Sequence, residues 1–193
     1  RDNGGRYNSS TPSAPTIWDD LGEMRKYDMI VIDCVGSEST KTVARRQNLE
    51  AFANAGGRVF ASHFAYVWLY QKAIASNGST INVITNPPTP SLDFPSTATW
   101  HVNQGSPSDQ YAYIDTSFPK GQTFSDWIQL VTNPPPANGR IRINVGRRDM
   151  DAVNTSADMP PAQRLVWGTA GSTTNIPLQS TFNTPTSAAP CST

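Results

Sequence analysis

The chain has no apolar run near the roughly 20 residues that a helix needs to cross a bilayer. It also has no surplus of charge: 15 Lys and Arg balance 15 Asp and Glu, a formal net charge of zero. The first absence argues against membrane insertion. The second removes the electrostatic case for nucleic acid or an anionic membrane as partner. Cysteine is scarce, with only Cys34 and Cys191, so a Cys-rich metal site is excluded and one disulfide is permitted. There is no HExxH, no HxH and no EF-hand spacing. The scattered His63, His101, Asp33, Asp93, Asp149 and Asp151 therefore match no metal-site spacing, and no metal or cofactor is expected. G-x-S-x-G is missing as well, which removes the signature of a serine hydrolase elbow.

What is present is length and a polar, uncharged character. At 193 residues the chain is one domain by size and can bury a core without metal or disulfide help. Only 16% of its residues are charged, while Ser, Thr, Asn and Pro are plentiful, a mix that leans toward extracellular and periplasmic proteins. Three Asn-x-Ser/Thr matches, at Asn8, Asn77 and Asn154, matter only in a glycosylating source. The start at Arg1 is read as that of a mature or excised piece.

Hydrophobic pattern supplies the elements. Residues 1–15 read as a polar N-terminal arm. Thr16 can cap a short helix with Ile17, Leu21 and Met24 on one face. Met29 to Cys34 (MIVIDC) is a continuous β-branched run, as expected of a central parallel strand covered on both faces. Ser39 or Thr40 can cap a helix with Leu49, Phe52 and Ala53 as its apolar stripe and Arg45, Arg46 and Glu50 toward water. Gly56-Gly57 ends it, and RVFAS follows as a second strand, parallel to the first through a right-handed crossover. Further along, INVIT, YAYID, RIRINV, QRLVW and a short piece at 179–182 read as strands. NPPTPSLDFPSTATW reads as an irregular connection, Phe118-Pro119 as a helix start with Phe124, Ile128 and Val131 on one face, and RRDMD as a solvated loop with internal ion pairs.

The chemistry-bearing residues gather where RVFAS stops at His63. A polar residue at a strand-to-helix elbow stands above the sheet, where an imidazole can act as general base, hold an anion, or simply order the turn. Asp33, Cys34 and Glu38 end the neighbouring strand and begin its loop. A Cys34–His63 pair would be a nucleophilic dyad, and a carboxylate from Asp33 or Glu38 would orient the imidazole. Against this, Cys34 can be half of a Cys34–Cys191 disulfide, the pairing an oxidising compartment favours. Phe64 and Trp68 follow at helical spacing, as core or as a pocket wall that stacks on a sugar ring.

GGRVFASH before an aromatic helix, with YDMIVIDC one crossover earlier, resembles the class I glutamine amidotransferase-like superfamily, and within it the ThuA-like branch. There a Gly-Gly turn, a strand and a His stand where amidotransferases carry Gly-x-Cys-x-Gly. The segments GGRVFASHFAYVW, DFPSTATW, IDTSFPKGQTFSDW, RRDMDAVN, QRLVW and TFNTP are similar to parts of large bacterial secreted or surface proteins of the carboxypeptidase regulatory-like domain kind. The resemblance covers about Trp18 to Pro185. It implies a three-layer α/β, flavodoxin-like, mainly parallel sheet with helices on both faces: a single domain over 16–185, with an uncharged tail, 186–193, truncated relative to those proteins. Because His63 fills the nucleophile position, glutaminase chemistry is not implied. The function expected is that of a non-catalytic or degenerate domain of a secreted or cell-surface protein. It would bind a carbohydrate or protein ligand, or serve structure beside further domains. The rival is a hydrolase or carbohydrate-modifying enzyme with His63 as general base, and a third reading is a Cys34–His63 thiol hydrolase.

Overall fold

In the computed structural model the described residues are 10–34, 36–39, 41–70, 73–74, 80–81, 94–104, 108–155, 162–170 and 173–184. Most of the N-terminal arm, most of INVIT, Asp93, Cys191 and the tail at 186–193 lie outside them. The chain divides into two compact units, Arg1–Pro95 and Ser96–Thr193.

The first unit is built on one β-α-β crossover. Two short helices, α1 (Pro15–Trp18) and α2 (Leu21–Met24), precede strand β1 (Met29–Ile32), helix α3 (Val43–Asn54) and strand β2 (Arg58–Ala61). Asp20, rather than Thr16, is the side chain that caps the following helix, accepting from the amides of Gly22 and Glu23. Thr42 caps α3 by accepting from the Arg45 amide. As the sequence predicts, β1 and β2 pair in parallel, Met29 with Arg58 through Ile32 with Ala61. Leu49, Phe52 and Ala53 form the buried stripe of α3, and Ile30 and Ile32 the buried positions of β1. Gly56 ends the helix with φ +101°, and a Cβ on Gly57 would stand 2.3 Å from the Phe52 ring. Two expectations fail here. Met29 and Val31 are exposed, so β1 is covered on one face and not two. Arg46 and Glu50 are buried instead of facing water. After β2 the chain enters a 3-10 helix, His63–Trp68, instead of an α-helix, and a two-residue hairpin, β3 (Ala73–Ile74) with β4 (Thr80–Ile81), follows.

The second unit is antiparallel. Among the described residues its strands are β5 (Ala98–Gln104), β6 (Ser108–Ile114), β7 (Arg140–Val145), β8 (Arg148–Val153), β9 (Gln163–Ala170) and β10 (Thr173–Thr181), and its α-helix is α4 (Pro119–Val131). Four of them form a sheet in the order β10-β9-β6-β7, and β5 pairs with β8. The residues read as an irregular connection and as a solvated loop, ATW and RDMD, are thus strand, although the loop's ion pair is present as Arg148–Asp151 at 2.8 Å.

This arrangement overturns the three-layer, mainly parallel flavodoxin-like sheet with helices on both faces: among the described residues only β1 and β2 are parallel, and every other pairing is antiparallel. The physical reason lies in the strands. Tyr111-Ala112-Tyr113-Ile114 and Arg140-Ile141-Arg142-Ile143 alternate polar or amphipathic with apolar side chains, the pattern of a sheet with one dry and one wet face. Strands β9 and β10 are joined by residues 171–172 alone, too short for a parallel crossover.

The dry face carries the core of this unit: Ala112, Ile114, Ile128 and Val166, with Phe124, Ile141, Ile143, Leu165 and Leu178 packed around them. Val131, expected on the buried stripe of α4, is exposed. Helix α4 is fixed to the strands by polar contacts as well. The buried Ser125 hydroxyl donates to Asn138 Oδ1 at 2.8 Å and accepts from the Gly139 amide at 2.9 Å. At the other end the helix runs so close to the end of β6 that a Cβ on Gly121 would stand 1.7 Å from the Asp115 carbonyl oxygen. Gly121→Ala is therefore expected to destabilise the second unit by about 3 kcal/mol, the upper range of overpacking. Urea unfolding followed by Trp fluorescence measures it, and a change within error of zero would show that the helix can move aside.

Candidate functional site

The parallel register of the first unit decides which side chains meet. The last paired residues are Ile32 and Ala61, and the Ser62 amide extends the pairing with a 3.2 Å bond to the Ile32 carbonyl. Cys34 and His63 each lie two positions past that pair, so they leave the sheet side by side at its carboxyl edge. Cys34 Sγ stands 3.1 Å from His63 Nδ1. The cysteine is exposed, and among the described residues its thiol has no disulfide partner. The histidine is half-buried, its ring tilted against Phe64 at a centroid distance of 3.8 Å.

His63 is held at φ +38°, a region that side-chain-bearing residues visit rarely. The backbone leaves it little choice, since Ser62 is tied to Ile32 on one side and its carbonyl accepts from the Ala65 amide at 2.9 Å on the other. Outliers of this kind persist where the surroundings over-determine them, often at functional positions.

The other expected site residues take different places. Asp33 is exposed at the strand end, next to Cys34. Glu38 accepts a hydrogen bond from the Tyr66 hydroxyl, which ties the loop after β1 to the 3-10 helix. Phe64 is half-buried. Trp68 is 2% exposed, packed against Trp18 at 4.8 Å between ring centroids, with the Lys41 ammonium 5.4 Å from its ring. Its ring belongs to the core. Cys191, the partner expected for Cys34 in a disulfide, lies outside the described residues. Among the described residues no group of three His, Cys, Asp or Glu side chains is arranged to hold a metal ion. None of their helices is long and apolar enough to cross a membrane.

Sequence reasoning missed the residue that supports this site from beneath. Arg46 of α3 is 8% exposed, and its guanidinium donates to the carbonyls of Trp68 at 3.3 Å and Leu69 at 3.1 Å. It thereby satisfies the end of the 3-10 helix that begins at His63. Burial lowers its pKa, and the Glu50 carboxylate one turn along opposes that shift. The signal was present: Arg46 stands three residues before Leu49 and seven before Ala53, on the apolar stripe itself. Arg46→Met would take the guanidinium donor away from the Trp68 and Leu69 carbonyls. The expected cost is about 3 kcal/mol of first-unit stability. Limited proteolysis should detect it as faster cleavage of the first unit, and unchanged cleavage would contradict the role given to this side chain.

The arrangement offers one clear chemical capability, a solvent-reachable thiol in hydrogen-bond contact with an imidazole. Comparison with family models, with curated proteins and with solved structures finds no match, so none of these comparisons names a family for the chain.

Proposed function

We propose that the first unit is a thiol-dependent hydrolase or acyl-transfer site with Cys34 as nucleophile and His63 as its base. The observation that carries this is the 3.1 Å contact between Cys34 Sγ and His63 Nδ1 at the open carboxyl edge of the parallel strands. The chemistry follows from the pair. His63 takes the thiol proton, and the sulfur attacks the carbonyl carbon of an ester, thioester or amide. The imidazolium returns the proton to the departing alcohol, thiol or amine as the tetrahedral intermediate collapses. Water, deprotonated by the same imidazole, then releases the acid and restores the thiol. The positive φ of His63 supports this reading, because backbone held in a sparsely populated region is often kept at functional positions.

A second reading, a non-catalytic binding or structural unit, is favoured by one specific observation. Glu38, one of the two carboxylates placed to orient the imidazole, is engaged by the Tyr66 hydroxyl. In either reading the low-charge composition, rich in Ser, Thr, Asn and Pro, supports a secreted, periplasmic or cell-surface setting.

The two readings part on turnover. A panel of activated esters, thioesters and anilides should give measurable hydrolysis by the intact chain under reducing conditions. Cys34→Ser should remove it, and His63→Asn should lower it by about 100-fold or more, the usual worth of a positioned base. No turnover on any panel member, or a Cys34→Ser variant as active as the parent, would leave the non-catalytic reading standing.

A further inference from the structure

Two irregular positions in the second unit's strands meet at one place. Between Met150 paired with Trp100 and Ala152 paired with Thr99, Asp151 of β8 has no partner across the ladder. Between Thr173 paired with Ala170 and Ile176 paired with Gly168, Thr174 and Asn175 of β10 stand against Thr169 alone. Asn175 takes φ +62°, a conformation that glycine adopts freely and other residues seldom do. Bulges re-aim side chains and are common beside active sites. Here Asp151 and Asn175 both line the same open cleft of about 510 Å³.

The other walls supply mixed polar groups. Gln163 and Arg164 come from β9, Asp115, Ser117 and Phe118 from the turn between β6 and α4, and Thr155 from just past β8. Arg164 is held over the Trp167 ring at 5.0 Å and donates to the Asn175 carbonyl at 3.4 Å. Asp151 Oδ1 accepts from Arg148 at 2.8 Å and from Gln104 at 3.3 Å, and its Oδ2 lies 3.0 Å from His101 Nδ1. Asp115 Oδ1 accepts from the Ser117 amide at 3.0 Å and from its hydroxyl at 2.6 Å. Asp115 Oδ2, the Thr155 hydroxyl and the side-chain amides of Gln163 and Asn175 bond to no group among the described residues. They are the hydrogen-bonding capacity that the cleft holds open for a ligand.

Charge narrows the class of ligand. The bond from the Ser117 hydroxyl holds Asp115 below the ordinary carboxylate range against partial burial, and the Ser117 amide and the Arg164 charge add to it. Asp151 is held low as well: partial burial opposes ionisation, but the bonds from Arg148 and His101 outweigh it. Among the described lining residues these two carboxylates stand against one cation, Arg164, which disfavours an anion. A metal ion takes several oxygens, and no three His, Cys, Asp or Glu side chains among the described residues are grouped to hold one. An ammonium would find Asp115 Oδ2 alone, since both Asp151 oxygens are engaged. A peptide strand needs an open ladder edge, and Pro177, which lines the cleft from β10, has no amide to offer. Vicinal hydroxyls, each a donor and an acceptor at once, match the open carboxylate oxygen, the two amides and the threonine. The Phe118 ring suits the C–H face of a sugar.

We infer that this cleft binds a neutral sugar, its hydroxyls on Asp115, Thr155, Gln163 and Asn175 and one ring face against Phe118. The cleft holds the sugar and does not cut it. Hydrolysis of a glycosidic bond needs a carboxylic acid that keeps its proton near neutral pH, and both carboxyls here are shifted the other way. Every residue of the site belongs to the second unit, so it stands or falls separately from the thiol chemistry proposed for the first.

The test presents the full chain to an array of immobilised gluco-, galacto-, manno- and xylo-oligosaccharides, with glucosamine and galacturonate oligomers beside them. Calorimetry then measures the strongest neutral ligand. Binding to at least one neutral series is expected, with weaker binding or none to the charged ones. Asp115→Asn keeps an oxygen for Ser117 but replaces the open one by a donor. It should weaken binding at least about 10-fold, the worth of one hydrogen bond to a charged group. Gln163→Ala should weaken it independently, while Asp126→Asn, the same charge change on α4 away from the cleft, should leave it unchanged. Near-UV circular dichroism verifies that the variants keep the fold. No binding to any neutral series, tighter binding of the glucosamine or galacturonate oligomers, or equal affinity in the parent and Asp115→Asn would each overturn the inference.

Discussion

A buried guanidinium organises the first unit. Arg46 projects from the crossover helix into the position where the 3-10 helix ends, and its two bonds go to carbonyls that the helix itself cannot satisfy. A cation in such a place is costly unless its partners are well aligned. Once aligned, it ties the crossover helix to the end of the helix that begins at His63. The Trp18–Trp68 contact and the Tyr66–Glu38 bond add to the same tie. The result is a short helix with both ends fixed, and at its start a histidine with a constrained backbone.

The thiol chemistry proposed for Cys34 and His63 would depend on that constraint. An imidazole free to rotate would meet Cys34 only part of the time, and little of its basicity would reach the sulfur. Here the parallel register brings both residues out of the sheet at the same level, with Cys34 Sγ 3.1 Å from His63 Nδ1. Proximity of this kind supplies much of what a nucleophile–base pair contributes. The second unit is built on the opposite logic, a one-sided antiparallel sheet whose outer face is held by arginines lying over aromatic rings.

The sequence was most legible where its signals were local. The β-branched run at Met29 to Ile32, the Leu49-Phe52-Ala53 stripe, the Gly56-Gly57 stop and the RVFA strand together specify the crossover, and they bring Cys34 and His63 to one edge. Legibility failed where a signal was averaged over the chain. The resemblance to a parallel three-layer fold rests on that single crossover, and it was extended over strands whose own alternation says otherwise. Tyr111-Ala112-Tyr113-Ile114 and Arg140-Ile141-Arg142-Ile143 are two-faced, and that pattern was there to be read. The charge of Arg46 points to solvent while its spacing from Leu49 places it on the buried stripe, and position outweighs charge there. The pairing of β5 with β8 could not be read at all: it joins residues about 50 apart across β6, α4 and β7, and neither strand has a strong pattern of its own.

The central claim is that Cys34 is a thiol activated by His63, and its reactivity reports on that directly. The intact chain would be pulsed with limiting iodoacetamide under non-reducing conditions, digested without reduction and mapped by mass. The account predicts that the Cys34 peptide is carboxamidomethylated ahead of free glutathione in the same pulse, and that this lead disappears in His63→Asn. A peptide linking Cys34 to Cys191, or labelling no faster than glutathione, would contradict it.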